Sequence, residues 1–188
     1  TPNITVFPSL RRISHLFCLA IVLSSASCHD AGVEVVKVDE GGTGIILPGI
    51  GMEGIALGSS TETVVQKLGN PSAKGWADGL YRGWRIYAYW EGQHNGLEIC
   101  FIDNGDTYGP ADVLTALSPY SGKTKEGIGL RSRLETVHQK YGNPRHTLTQ
   151  PTQHWIAEFY CFNGKKLEVH YIDSLVSTMS IGYLIPMD

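Results

Sequence analysis

Two short stretches of this chain alternate apolar and polar residues in the same order. Leu97, Ile99 and Phe101 fall on one side of LEICFID (97–103), and Leu167, Val169 and Tyr171 on one side of LEVHYID (167–173). A period of two is the mark of a strand with one buried face. Each stretch follows an aromatic, β-branched run, WRIYAYW (84–90) or WIAEFYCF (155–162), across an Asn-Gly doublet, Asn95-Gly96 or Asn163-Gly164. Asn-Gly between two such runs predicts a hairpin. Weaker third runs follow, Asp112 to Tyr120 and Leu175 to Tyr183.

Ahead of each strand group the period changes to that of a helix. Val64 and Leu68, and Val137 and Tyr141, are spaced i, i+4, which puts each pair on one helical face. Ser59 with Glu62 and Ser132 with Glu135 fit capping boxes. Gly69 and Gly142, then Pro71 and Pro144, predict the helix ends.

These parallels are one repetition. Residues 54–71 and 127–144 are identical at 12 of 18 positions, at an offset of 73. Further along, the offset falls to 72, 70 and 63. Length changes confined to loops are what a duplication leaves. The expected fold is α+β: two tandem repeats, each a short capped helix on a three-stranded antiparallel meander, at 54–120 and 127–183.

Matching the repeats assigns the strand faces. Leu97/Leu167, Ile99/Val169 and Phe101/Tyr171 belong under the helix. With 86 matched to 158, the open side carries Trp90, Tyr160 and Phe162 among Glu98, Glu158, Glu168 and His170. Aromatic rings among charges compose a binding surface. The alternative is that the other unit or the preceding tether covers these rings. On this assignment Cys161 points into the core and Cys100 away from it, so no Cys100–Cys161 disulfide is expected.

The N-terminus reads as an export signal, residues 1–27. Arg11 and Arg12 precede an apolar run from Leu16 to Leu23, then small residues and Cys28. The run is shorter than the roughly 20 residues a membrane span needs. Ser-Ala-Ser-Cys resembles a lipobox with Ser25 in the usual leucine position, which makes Cys28 the expected lipid attachment site. The other reading is cleavage after Ala26, leaving Cys28 a thiol. Residues 28–53 form a tether with two apolar runs, Val33–Val38 and Ile45–Leu47. The net charge of −3 argues against a nucleic-acid partner.

Motifs with chemistry are weak. Gly49-Ile50-Gly51-Met52-Glu53-Gly54 fits GxGxxG, but the expected helix starts later and no crossover follows. Gly122-Lys123-Thr124 lacks the P-loop glycine, since Leu117 stands there. His138, His146, His154 and His170 make no HxxxH pair. No catalytic residue, metal or cofactor is expected.

The pattern Gly-Ile-x-Leu-Gly-Ser-x-x-Glu-x-Val-x-x-x-Leu-Gly-x-Pro at 54–71, followed by aromatic strands and Leu-x-Ile-x-Phe-x-Asp, resembles a known superfamily. It looks like the BamE/SmpA lipoprotein domain and the tandem-repeat beta-lactamase inhibitory proteins. It is also similar to the repeat beside secreted cysteine-rich CAP-type domains. The likeness covers 54–183. It implies a non-catalytic binding module, in one member a scaffold for outer-membrane assembly and in another an enzyme inhibitor acting through a concave sheet. Arg131 replaces Gly58, and neither repeat holds an inhibitor-type cysteine pair, so neither activity carries over. The expected function is a bacterial envelope lipoprotein, tethered through Cys28, that binds another envelope or secreted protein. The alternative is a secreted hydrolase inhibitor. An enzyme would need a deep pocket, for which two thin helix-on-sheet layers leave little room.

Overall fold

The computed structural model describes residues 44–76, 84–103, 108–150 and 154–183. The expected signal, Cys28 and most of the tether lie outside these. In chain order the elements are β1 (Ile45–Leu47), β2 (Gly51–Met52), β3 (Ile55–Ala56), α1 (Thr61–Leu68), β4 (Ala73–Trp76), β5 (Trp84–Tyr89), β6 (Leu97–Asp103) and β7 (Tyr108–Leu117). Then come β8 (Lys123–Thr124), α2 (Leu134–Tyr141), β9 (His146–Gln150), β10 (Trp155–Phe162), β11 (Lys165–Ile172) and β12 (Leu175–Gly182).

Eight strands form one antiparallel sheet in the order β4-β5-β6-β7-β12-β11-β10-β9. A small sheet, β3-β2-β1-β8, lies apart from it, with β1 and β8 parallel. This overturns the expectation of an α+β protein built from two helix-on-meander units: among the described residues the chain is mostly strand, with two eight-residue helices. The physical reason lies at β7 and β12. Left apart, each would present a row of unpaired N–H and C=O groups. They pair instead, Leu117 opposite Thr178 through Val113 opposite Gly182.

The outer strands β4 and β9 also escape the sequence pattern. Ala73–Trp76 holds lysine and glycine, and its last three residues are exposed. Short polar sequences are what sheet edges tolerate. The short stretch between the two repeats contributes β8, where Thr124 is buried and its Oγ1 accepts from Tyr141 and from the Ile128 N–H. The GxGxxG glycines lie around the β1–β2 turn and open no helix. At Gly49, φ is +73° and an added Cβ would sit 2.2 Å from the Phe162 carbonyl oxygen.

Both helices lie on one side of the large sheet. Val64 and Val137, each fully buried, join Leu97, Ile99, Phe101, Leu167, Val169 and Tyr171 in one core with Ile46, Met52 and Ile55 of the small sheet. The helix ends differ from the capping boxes expected. Ser60, not Ser59, caps α1, its Oγ accepting from the Thr63 N–H at 3.3 Å. Glu62 then falls one place early for a reciprocal bond; its carboxyl is lowered by Ser60 first, then by its own backbone N–H. Arg133 occupies the α2 cap without a side-chain bond, and Ser132 Oγ accepts from Gly129 instead. Ser60→Ala should therefore lower stability by about 1 kcal/mol while Ser59→Ala leaves it nearly unchanged, as read by urea unfolding.

The second hairpin turn is as expected, with Asn163 and Gly164 both at positive φ (50° and 66°). The first differs: a 3-10 turn, Gly92–His94, precedes Asn95-Gly96.

Candidate functional site

Register places each candidate residue. In the first half Tyr87 faces Ile99 and Tyr89 faces Leu97; in the second Glu158 faces Val169 and Tyr160 faces Leu167. The true match is 87 with 158, one residue away from the one used to assign faces. A one-residue slip sends every side chain of a strand to the other face. Glu158, Tyr160 and Phe162 therefore lie on the helix side. Glu98, Glu168 and His170 lie on the far side, in line with Thr115, Ser180 and Thr178. Trp90 follows β5, half-buried, with its N–H on Ser72 Oγ. The seven residues do not form one open face: Tyr160, Glu98, Glu158, Glu168 and His170 are all at most 8% exposed.

The same slip corrects Cys161. It stands opposite Lys166 on the far side, in the row that carries Cys100. Four strand spacings separate the two, roughly 19 Å, too far for a disulfide. Cys100 is a free thiol, which burial and then the Glu98 and Asp112 carboxylates push up.

On the helix side Glu158 is a hub. Its Oε2 accepts from Tyr160 (2.7 Å) and Tyr171 (2.8 Å), and its Oε1 meets His138 Nε2 at 2.7 Å. His138, itself partly exposed, joins α2 to this buried carboxylate. Burial first, with Glu158 contributing, raises the Tyr160 phenol; burial first, then Tyr160 and Glu158, raises that of Tyr171. A second hub, missed in the sequence, is Glu53. It accepts from Tyr120 and from the Gly44 N–H, and meets His94 Nδ1 at 3.2 Å. Carboxylates so bonded hold elements together; Glu53 ties the small sheet to the 3-10 turn and to Tyr120.

On the far side Glu168 pairs with Lys166 (2.7 Å) and His170. Burial pushes its carboxyl up, but Lys166 and His170 outweigh this and hold it at about 2. Burial pushes the Glu98 carboxyl the other way, up to about 7. Trp155 and Ala157 form a separate apolar cluster with Leu148 and Phe159.

One aromatic group stands out from the surface. Trp76, at the end of edge strand β4, is 57% exposed. The Arg85 guanidinium lies between two rings, 4.4 Å from Trp76 and 4.7 Å from Tyr108. Tyr108 packs on Tyr87 and Phe101, and Phe101 is fully buried. The exposed ring is thereby stacked down to the core. Cation–π stacking of this kind is strongest where water is excluded. Lys74 sits over Tyr87 beside it. The sequence hid this group, because Ala73–Trp76 carries no strand alternation.

No protein-family model matches the chain, and no curated protein does. Solved structures match at a distance. A DUF4309 family protein, YjgB, from Bacillus subtilis shares 14% identity over 71% of this chain and 84% of its own, with a TM-score of 0.46. An extracellular SCP-domain protein from Bacillus anthracis shares 11% over 81% of this chain, at 0.49, and this chain spans half of its length. A proposed beta-lactamase inhibitor protein from Streptococcus mutans shares 11% over 68% of this chain and 84% of its own, at 0.27. At these values none says what this chain does, and BamE/SmpA identity gains no support from them.

Proposed function

We propose that this is an exported, non-catalytic module that binds another envelope or secreted protein at the β4 edge. The observation that carries the reading is Trp76, exposed yet held in a fixed stack by Arg85 and Tyr108. Trp, Tyr and Arg are the residue types that dominate binding energy at protein interfaces. A ring already fixed loses little freedom on binding. β4 ends the sheet order, and an edge strand accepts an extended segment as a further strand. Lys74 beside the ring favours an acidic segment. The signal-like N-terminus supports export, as does a disulfide at Cys161, since disulfides persist outside the reducing cytosol.

Trp76→Ala should weaken the partner about 30-fold or more and leave the melting temperature nearly unchanged. The partner is captured from the envelope and medium of the producing cell with the wild-type chain, then titrated against both forms. Equal affinities would remove the β4 edge from the account.

A further inference from the structure

The two hairpins that carry the repeat close differently. In the second, β10 and β11 stay paired as far as Phe162 opposite Lys165, and Asn163-Gly164 completes the turn. In the first, pairing stops at Tyr89 opposite Leu97, and residues 90–96 leave the sheet through the 3-10 turn Gly92–His94. The short turn closes the equivalent hairpin, so the fold does not require this excursion. A loop on a rigid scaffold is where function is carried.

The excursion builds a cleft. It faces the end of α1 and encloses about 540 Å³, within the range of small-ligand sites. Tyr89 and His94, both buried, form its floor, and Asn70, Ser72, Glu91 and Gln93 stand exposed around its rim. Much of this surface is already fixed. The Tyr89 hydroxyl donates to the Gly69 carbonyl at 3.2 Å, and Ser72 Oγ accepts from the Trp90 N–H at 3.0 Å. The Gln93 amide donates to His94 Nε2 at 3.0 Å, so the ring hydrogen lies on Nδ1, 3.2 Å from Glu53 Oε2. Glu53 is held in turn by Tyr120 and the Gly44 N–H, at a φ of +55° that few residues other than glycine adopt. Backbone held there by its surroundings points to a site. Supporting bonds of this kind set a binding group in place before its ligand arrives.

We propose that this cleft binds a neutral saccharide, held by Asn70, Ser72, Glu91 and Gln93 above the Tyr89 and His94 rings. Both ring nitrogens of His94 are engaged, so it positions Gln93 rather than moving protons, and the cleft binds without reacting. Amides and hydroxyls both give and accept hydrogen bonds, and a carboxylate accepts several. Adjacent hydroxyls of a sugar match that set. Among the described residues no lysine or arginine lines the cleft, and Glu91 with the carbonyl end of α1 disfavours an anion. A cation would have one exposed carboxylate as its anchor, which is worth little in water. Leu68 and the floor rings supply apolar contact for the C–H side of a sugar ring. The cleft adjoins the start of β4, whereas Trp76 ends that strand, so the saccharide is a ligand separate from the protein partner.

The test is a titration of the isotope-labelled chain followed by its amide resonances. The probes are methyl β-glucoside, N-acetylglucosamine and maltose, with choline and inorganic phosphate as charged controls. At least one sugar should shift the Gln93 and His94 amides saturably, with a Kd of about 1 mM, and neither control should. Gln93→Ala should weaken that sugar about fivefold and Asn70→Ala about threefold. Asn70 is exposed, so the second variant keeps the fold if the first does not. No saturable shift with any of the sugars would overturn the inference. So would shifts centred elsewhere, tighter binding of choline or phosphate, or an unchanged affinity in Asn70→Ala.

Discussion

Glu158→Ala is expected to lower the unfolding free energy by about 4 kcal/mol. The carboxylate is 3% exposed and holds three partners. Its removal leaves the Tyr160 and Tyr171 hydroxyls buried without an acceptor, and a buried unmade bond is more harmful than a made one is helpful. It also frees His138, which joins α2 to β10 across the core. His138→Ala should be milder, about 1 kcal/mol, since that side chain is 35% exposed. The decisive form is a cycle. In a Tyr160→Phe, Tyr171→Phe background the donors are gone, so Glu158→Ala should cost clearly less than in the wild type. Urea unfolding of the four proteins measures this. Equal losses in both backgrounds would mean that Glu158 acts through something other than those hydroxyls.

The second large effect is with pH. Glu98 titrates at about 7 in the folded chain against an ordinary value of 4.5, because it is buried. The folded state therefore holds this proton more tightly than the unfolded chain. The contribution is fully present below about pH 4.5 and is lost as pH rises to about 7, by about 3 kcal/mol. Asp112, raised by burial against the pull of Lys166 and Lys165, changes stability in the same direction. Glu168 acts oppositely. Held at about 2, it removes stability as pH falls from its ordinary value of 4.5 toward 2. Stability should peak near pH 4.5, and Glu98→Gln should flatten the limb above it. Midpoints of urea unfolding between pH 3 and 8 read both limbs; a profile in the variant that still falls steeply from pH 5 to 7 would assign the slope to another group.

The strands with apolar alternation were legible because burial itself writes that pattern. Leu97, Ile99 and Phe101, and their counterparts Leu167, Val169 and Tyr171, are all fully buried. Val64 and Val137 were legible for the same reason. The faces of β10 were not. Glu158 is a charge on a core position, satisfied by tyrosines that alternation cannot reveal, and it drew the register one residue out of place. The join between β7 and β12 left no mark either, because it is made by backbone groups. Trp76 was hidden because edge strands carry little pattern of their own. The capping boxes misled because Ser59 and Ser132 have the box spacing to Glu62 and Glu135, while the backbone starts each helix one residue later, with Ser60 and Arg133 at the caps.

The central claim is that contact with a partner is made at the β4 edge and not on the far side of the sheet. A photoreactive phenylalanine analogue at position 76, or at position 172, tests it in cells that export the protein. Ile172 is the control, 44% exposed at the far side. The account predicts an adduct of one discrete mass from position 76 and none from 172. An adduct from 172 alone, or none from either, would contradict it.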